Sequence, residues 1–220
     1  MNSLLEFARG PALQFSLGIF VLGVAWRLFA LFLLPWRRNR AEPRAGNPGV
    51  VGGALRGMVS HWFPRREYMR RSAFHFVNGY VFHIGFLVIL FGFGPHIRFF
   101  SGLFGLSWPN LPTPFIYIVG AITLASLLAA LVHRIGNPVQ RLISSFDDYF
   151  SWFVTMLPVL TGLAIAGHFM ADYSDLLAIH ILSVCLLLIW LPFGKLMHTF
   201  LFLVSRATTG ARLAMRGVKF

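Results

Sequence analysis

The chain has 220 residues, of which 57% are hydrophobic and 12% charged, with a formal net charge of +12. A soluble domain carries roughly 45–50% apolar and about 25% charged residues, so the composition excludes an ordinary water-soluble globule and leaves little room for a separate soluble domain. The basic excess is concentrated in a few loops between apolar runs, which marks a membrane topology signal and not a nucleic-acid surface.

A membrane-spanning helix needs about 20 mostly apolar residues. Five runs qualify, and they predict an all-α bundle of five transmembrane helices in one domain over 1–220. The first is 13–34, with Arg27 close to one end. An arginine there can extend along the helix to reach the headgroups, or it can meet a buried anion. Residues 37–72 follow, rich in Pro, Gly and Arg, and read as a polar loop. The second run is 74–93, with a possible extension to 100, and the third is 115–132. The fourth is 149–166. The fifth, 176–204, is longer than one crossing and is expected to tilt or to project into water. No basic segment followed by a short apolar core and a small-residue cleavage site begins the chain, so no cleaved signal peptide is expected.

Cytoplasmic loops carry an excess of Lys and Arg. Nine Arg lie in 36–72, Arg134 and Arg141 follow the third run, and Lys195, Arg206, Arg212, Arg216 and Lys219 follow the fifth. With five spans these sixteen of the nineteen basic residues share one side. Arg9, Arg98, Asp172 and Asp175 fall on the other. The expected topology places the N-terminus outside and the C-terminus inside a bacterial-type cytoplasmic membrane. The basic loop is then either a docking surface for a partner or a topology signal alone.

Ionisable side chains inside spans are rare and generally face an interior site. His180 and His198 stand 18 residues apart on the fifth run, five helical turns, which puts both on one face about 27 Å apart. His83 and His96 stand on the antiparallel second run, about 20 Å apart. His83 then matches His198 in depth, and His96 matches His180. Haem iron takes two axial ligands from opposite faces, whereas zinc asks for four ligands, often with Cys or carboxylate among them. No Asp or Glu lies in either run, and Cys185 is the single cysteine. Two bis-histidine haems fit these ligand types. Gly79, Gly85, Gly92 and Gly94 on the second run would give a flat macrocycle room, although glycine also serves plain helix packing in membranes. His75 is an alternative to His83 on spacing alone, at about 32 Å from His96. His61 reads as a loop residue. His133 is a lesser candidate for a haem-propionate contact, and His168 for a haem or quinone role. Arg134 and Arg141 lie where haem propionates would need a two-pronged cation, and equally where a topology signal would put them.

The motifs "FHIGFLVILFG", beginning at Phe82, and "LAIHILSVCLLLIWLPFGKLMH", ending at His198, resemble the cytochrome b (gamma) subunit of respiratory nitrate reductase and its relatives. "RIGNPVQRLISSFDD", with Asp148, and Trp26–Arg27 are similar to further segments of that family. The resemblance covers most of the chain, and the spacing of the last span is its most specific part. It implies a five-span quinol-oxidising subunit with two b haems. It selects His83 with His198 for the inner haem, and gives His180 to the outer one. The family's second-span partner of the outer haem falls here on Phe93. His96, three residues further on, is the expected substitute, re-aimed by Gly94–Pro95. A single-haem protein, or His168 as the outer ligand, remains open.

What the resemblance implies is electron passage between the quinone/quinol pool and a separate iron–sulfur subunit on the basic inner face. A separate catalytic subunit would then carry out the terminal reaction. The family's Lys near the start of the third span has no counterpart in "NLPTPFIY", so the quinol site is unassigned. Asp172, Asp175 and His168 are the protonatable groups nearest the outer face. Two other classes stay open: a haem-free membrane anchor, and a transporter using histidines as a proton relay.

Overall fold

The computed structural model describes residues 3–34, 44–46, 49–60, 62, 66–167 and 172–218. His61 and His168 lie outside the described residues. The architecture is all-helical, with no strand among the described residues. Five helices are long and apolar enough to cross a membrane.

Helix α1 runs from Ser3 to Phe32 and begins ten residues before the predicted start. The Gly10-Pro11 pair does not end the helix. It widens locally into a π turn at Ala8–Ala12, the usual local adjustment where a proline supplies no backbone N–H. Arg27 is exposed on α1, as a side chain reaching for headgroups would be. Helix α2, Gly49–Val59, lies within the segment expected to be a loop.

Helix α3 runs from Arg66 to Gly92 and is followed by α4, Gly94–Phe104. The expected continuation to 100 is therefore broken at Phe93, which is extended (φ −83°, ψ 126°). Pro95 cannot donate a backbone hydrogen bond, and the freed carbonyls find other partners. The Phe91 carbonyl accepts the Trp108 indole N–H at 2.6 Å, and the Gly92 carbonyl accepts the Leu111 amide at 2.9 Å. The return loop thus caps the broken end.

Helix α5 is Thr113–Gly136 and α6 is Pro138–Ile143. The Asn137 side chain starts α6 by accepting the amides of Val139 and Gln140. Helix α7, Phe146–Ala166, opens with a capping box in which the Ser145 amide and hydroxyl meet the Asp148 carboxylate. Helix α8 is Tyr173–Trp190, and α9 is His198–Met215.

The single long fifth helix expected over 176–204 is therefore two helices. Pro192 and Gly194 make the break. A Cβ on Gly194 would stand 3.0 Å from an Asp147 carboxylate oxygen and run into the Trp190 ring. His198 opens α9 and does not lie five regular turns along a helix from His180.

The spans pack in the order α3, α5, α7, α8, α1. The core is small and polar where helices touch: Ser16, Thr123, Ser126, Ser151, Thr155 and Ser183 are buried. Large apolar side chains point outward, among them Phe32, Leu22 and Val132. This inverts the pattern of a soluble bundle and suits lipid, where small residues let backbones approach and the hydrocarbon faces the tails. Gly85 and Gly92 follow that rule. An added Cβ would press on Thr123 at the first and stand 2.7 Å from Leu111 at the second, so these two glycines serve helix packing and make no room for a macrocycle. Helix α9 packs along α2 through Gly53, Gly57 and Gly210, and a Cβ on Gly57 would come within 2.7 Å of the Gly210 Cα.

Candidate functional site

Helices α3 and α8 are not packed against each other, yet histidines from the two sides meet across the gap. The His83 and His198 ring centres are 6.2 Å apart with planes at 74°. The His96 and His180 ring centres are also 6.2 Å apart, with planes at 6°. His83 and His198 are exposed and His96 and His180 half-buried, so none of the four is sealed into helix packing.

Each of the four rings is oriented through its Nδ1. His83 Nδ1 donates to the Gly79 carbonyl at 2.7 Å. His198 Nδ1 donates to the Lys195 carbonyl at 2.8 Å. His96 Nδ1 donates to the Ile89 carbonyl at 3.0 Å. A carbonyl can only accept, so these three rings carry a proton on Nδ1, and in the neutral imidazole the lone pair is then on Nε2. His180 Nδ1 lies 3.0 Å from the Thr161 hydroxyl. That hydroxyl also lies 2.8 Å from the Leu157 carbonyl and 3.1 Å from the Ser183 hydroxyl, so it ties the His180 ring to α7. An outer hydrogen bond of this kind is the usual support of a metal-bound imidazole.

The break after Trp190 sets the position of His198. Asp147 accepts the Lys195 amide at 3.1 Å and the Ser151 hydroxyl at 2.7 Å. Asp148 takes the Lys195 ammonium, and Arg134 reaches the other oxygen of the same carboxylate at 3.2 Å. The Lys195 carbonyl that orients His198 is thus pinned to α7 and α5. Trp190 adds a bond from its indole N–H to Ser151 at 2.9 Å. The break at Phe93 does the same for His96, whose ring stands edge-on to Phe93 at 5.3 Å.

The other expected residues fall as follows. Arg134 Nη1 is bonded to Ser144 and to Asp148, a carboxylate it shares with Lys195. Arg141 is exposed on α6. His75 does not approach His96 or His198. Its ring is 4.8 Å from that of His133, and its Nε2 accepts from the Gln140 amide. Asp172 precedes α8 without capping it through its side chain. Thr161, Lys195 and Asp147 were not singled out from sequence. The Pro-Phe-Gly signal at 192–194 was the cue for Lys195, whereas Thr161 acts from a different helix and leaves no local trace.

No group of three or more His, Cys, Asp or Glu among the described residues could hold a metal ion by itself. A histidine pair therefore needs its remaining ligands from the bound group, and a porphyrin supplies four. Two imidazoles on opposite sides of one iron, each bonded at about 2 Å, hold their ring centres about 6 Å apart, which is the spacing of both pairs. At Gly79 an added Cβ would meet nothing within 4 Å, which leaves open space beside His83. The residues present fit bis-histidine haem.

Fold and site together define a multi-pass helical membrane protein with two histidine pairs. No protein-family model matches the chain, and no solved structure does. A protein of Nitratidesulfovibrio vulgaris strain Hildenborough is 30% identical over 216 residues, covering 96% of this chain and 93% of the relative. The chain belongs to the family of that protein.

Proposed function

We propose that this chain is the membrane-anchoring cytochrome b subunit of a respiratory oxidoreductase. It would pass electrons between the quinone/quinol pool and an iron–sulfur subunit on the inner side of a bacterial-type cytoplasmic membrane. The observation that carries the reading is the double meeting of histidines, each pair at 6.2 Å with every Nδ1 already bonded.

His83 and His198 would hold the inner haem b, and His96 and His180 the outer one. Bound there, haem supplies reversible one-electron transfer at its iron. The residues of the chain hold and orient. The Gly79, Lys195 and Ile89 carbonyls and the Thr161 hydroxyl orient the four rings through Nδ1. Asp147 and Asp148 fix the turn that presents His198. Arg141, exposed on α6, would meet a haem propionate.

The single cysteine, Cys185, is buried and cannot ligate a cluster alone, so iron–sulfur and substrate chemistry would reside in partner subunits. The basic loops give those partners a docking face, and their attraction should weaken with salt.

Paired mutants test the assignment. In His198→Ala, the inner-haem signal should be lost or turn high-spin while the outer signal survives. In His96→Ala the reverse should hold. Optical and EPR spectra of the purified complex read both. Unchanged spectra in either mutant would reject that residue as a ligand.

A further inference from the structure

A cavity of about 210 Å³ lies between α3, α5, α6 and α7, one helical turn from His83 and away from the His96–His180 end. Gly79 connects the two places: it lines the cavity, and its carbonyl orients His83. We propose that this cavity binds the ring head of a quinone-class lipid.

Its polar end is largely held within the protein. Arg134 lines it, and its Nη1 is committed to Ser144 and to Asp148, which it shares with Lys195. Asn78 gives one amide N–H to the Ser126 carbonyl and the Ser126 hydroxyl is turned to Asn78, which leaves one Asn78 N–H as a donor. His133 is different. Its imidazole makes ring contacts with Phe74 at 4.4 Å and His75 at 4.8 Å, and no hydrogen bond to a side chain or carbonyl among the described residues. It can donate to an accepting oxygen, beside the second Asn78 N–H.

The remaining wall argues for a flat ring. Phe74, Phe82 and Trp152 line it, and the Trp152 N–H is committed to the Leu127 carbonyl at 2.8 Å, so the indole presents ring surface and no donor. Drug-sized ligands fill about 300–1,000 Å³, so this volume takes a single ring and leaves a tail outside. The outer faces of α3 and α5 are apolar, with Val77, Val132 and Leu128 exposed. A ligand with a polar ring and an apolar tail can therefore enter from the bilayer. The choice of a quinone among such amphiphiles rests on the proposed electron-transfer role, whereas the cavity does not depend on it.

The test uses the purified complex in lipid nanodiscs, labelled by a photoreactive azido-benzoquinone bearing a decyl tail, with and without excess unreactive decyl-benzoquinone. Competed label should map to residues 74–82 and 126–134. Ala130→Phe, which fills the cavity from α5, should lower it at least tenfold, and His133→Phe, close in shape, about threefold. Label confined to the His96 end, label that does not compete, or label unchanged in both variants would overturn the proposal. Haem is assayed on the same sample. Colourless protein with competed label at these peptides would remove the electron-transfer reading and leave the binding site. Haem-loaded protein without that label would remove this site alone.

Discussion

Thr161 orients His180 from the neighbouring helix, with its hydroxyl 3.0 Å from His180 Nδ1. Thr161→Val keeps the shape and removes that partner. Loss of such an outer-shell partner costs typically tenfold to a hundredfold in metal affinity. Haem retention during extensive washing should therefore fall at the His96–His180 pair and stay unchanged at His83–His198. Equal retention at both would mean that the ring is held some other way. The residue types of all four histidines are legible in the sequence, because imidazoles in apolar runs stand out. Their Nδ1 partners are not. Three are backbone carbonyls, which every residue possesses, and the fourth comes from a neighbouring helix.

The two helix breaks place the histidines, and their legibility differs. Gly94–Pro95 announces the first, and Phe93 does leave the helix there. The second was read as continuous helix because hydrophobicity runs unbroken through Trp190, Leu191 and Phe193. Hydropathy reports depth in the membrane and is blind to backbone direction, which Pro192 and Gly194 change. Gly194→Val should be costly, since its side chain would meet Trp190 and Asp147. Overpacking of this kind costs about 1–3 kcal/mol. The expected readout is a lower unfolding temperature together with loss of the His83–His198 haem signal. A variant of unchanged stability would show that the turn yields.

The α2–α9 pair was also missed, because Pro, Gly and Arg between 37 and 72 suggest loop. Its glycines work as small residues at four-residue spacing, which let two helices touch. Gly57→Leu should separate α2 from α9 and raise proteolysis within 44–60. It should leave the His96–His180 signal intact, because that pair lies at the other end of the spans. Cleavage no faster than in the parent chain would argue against the close pairing.

At the scale of the molecule, the five spans follow from composition and length alone, because lipid selects continuous apolar helices and punishes every other backbone arrangement. The packing order follows less directly. It is written in small buried residues such as Thr123, Ser126 and Ser183, which hydropathy scores as unremarkable. The sidedness is carried by Arg and Lys counts. Reporter fusions should place the C-terminus inside and the N-terminus outside, and the opposite result would move the predicted partner face to the other side of the membrane. The claim that joins these scales is that both histidine pairs hold haem. A pyridine haemochrome assay on protein quantified by amino-acid analysis measures it most directly. About two haems b per chain are expected; a colourless protein would refute haem binding, and a value near one would leave a single pair as a haem site.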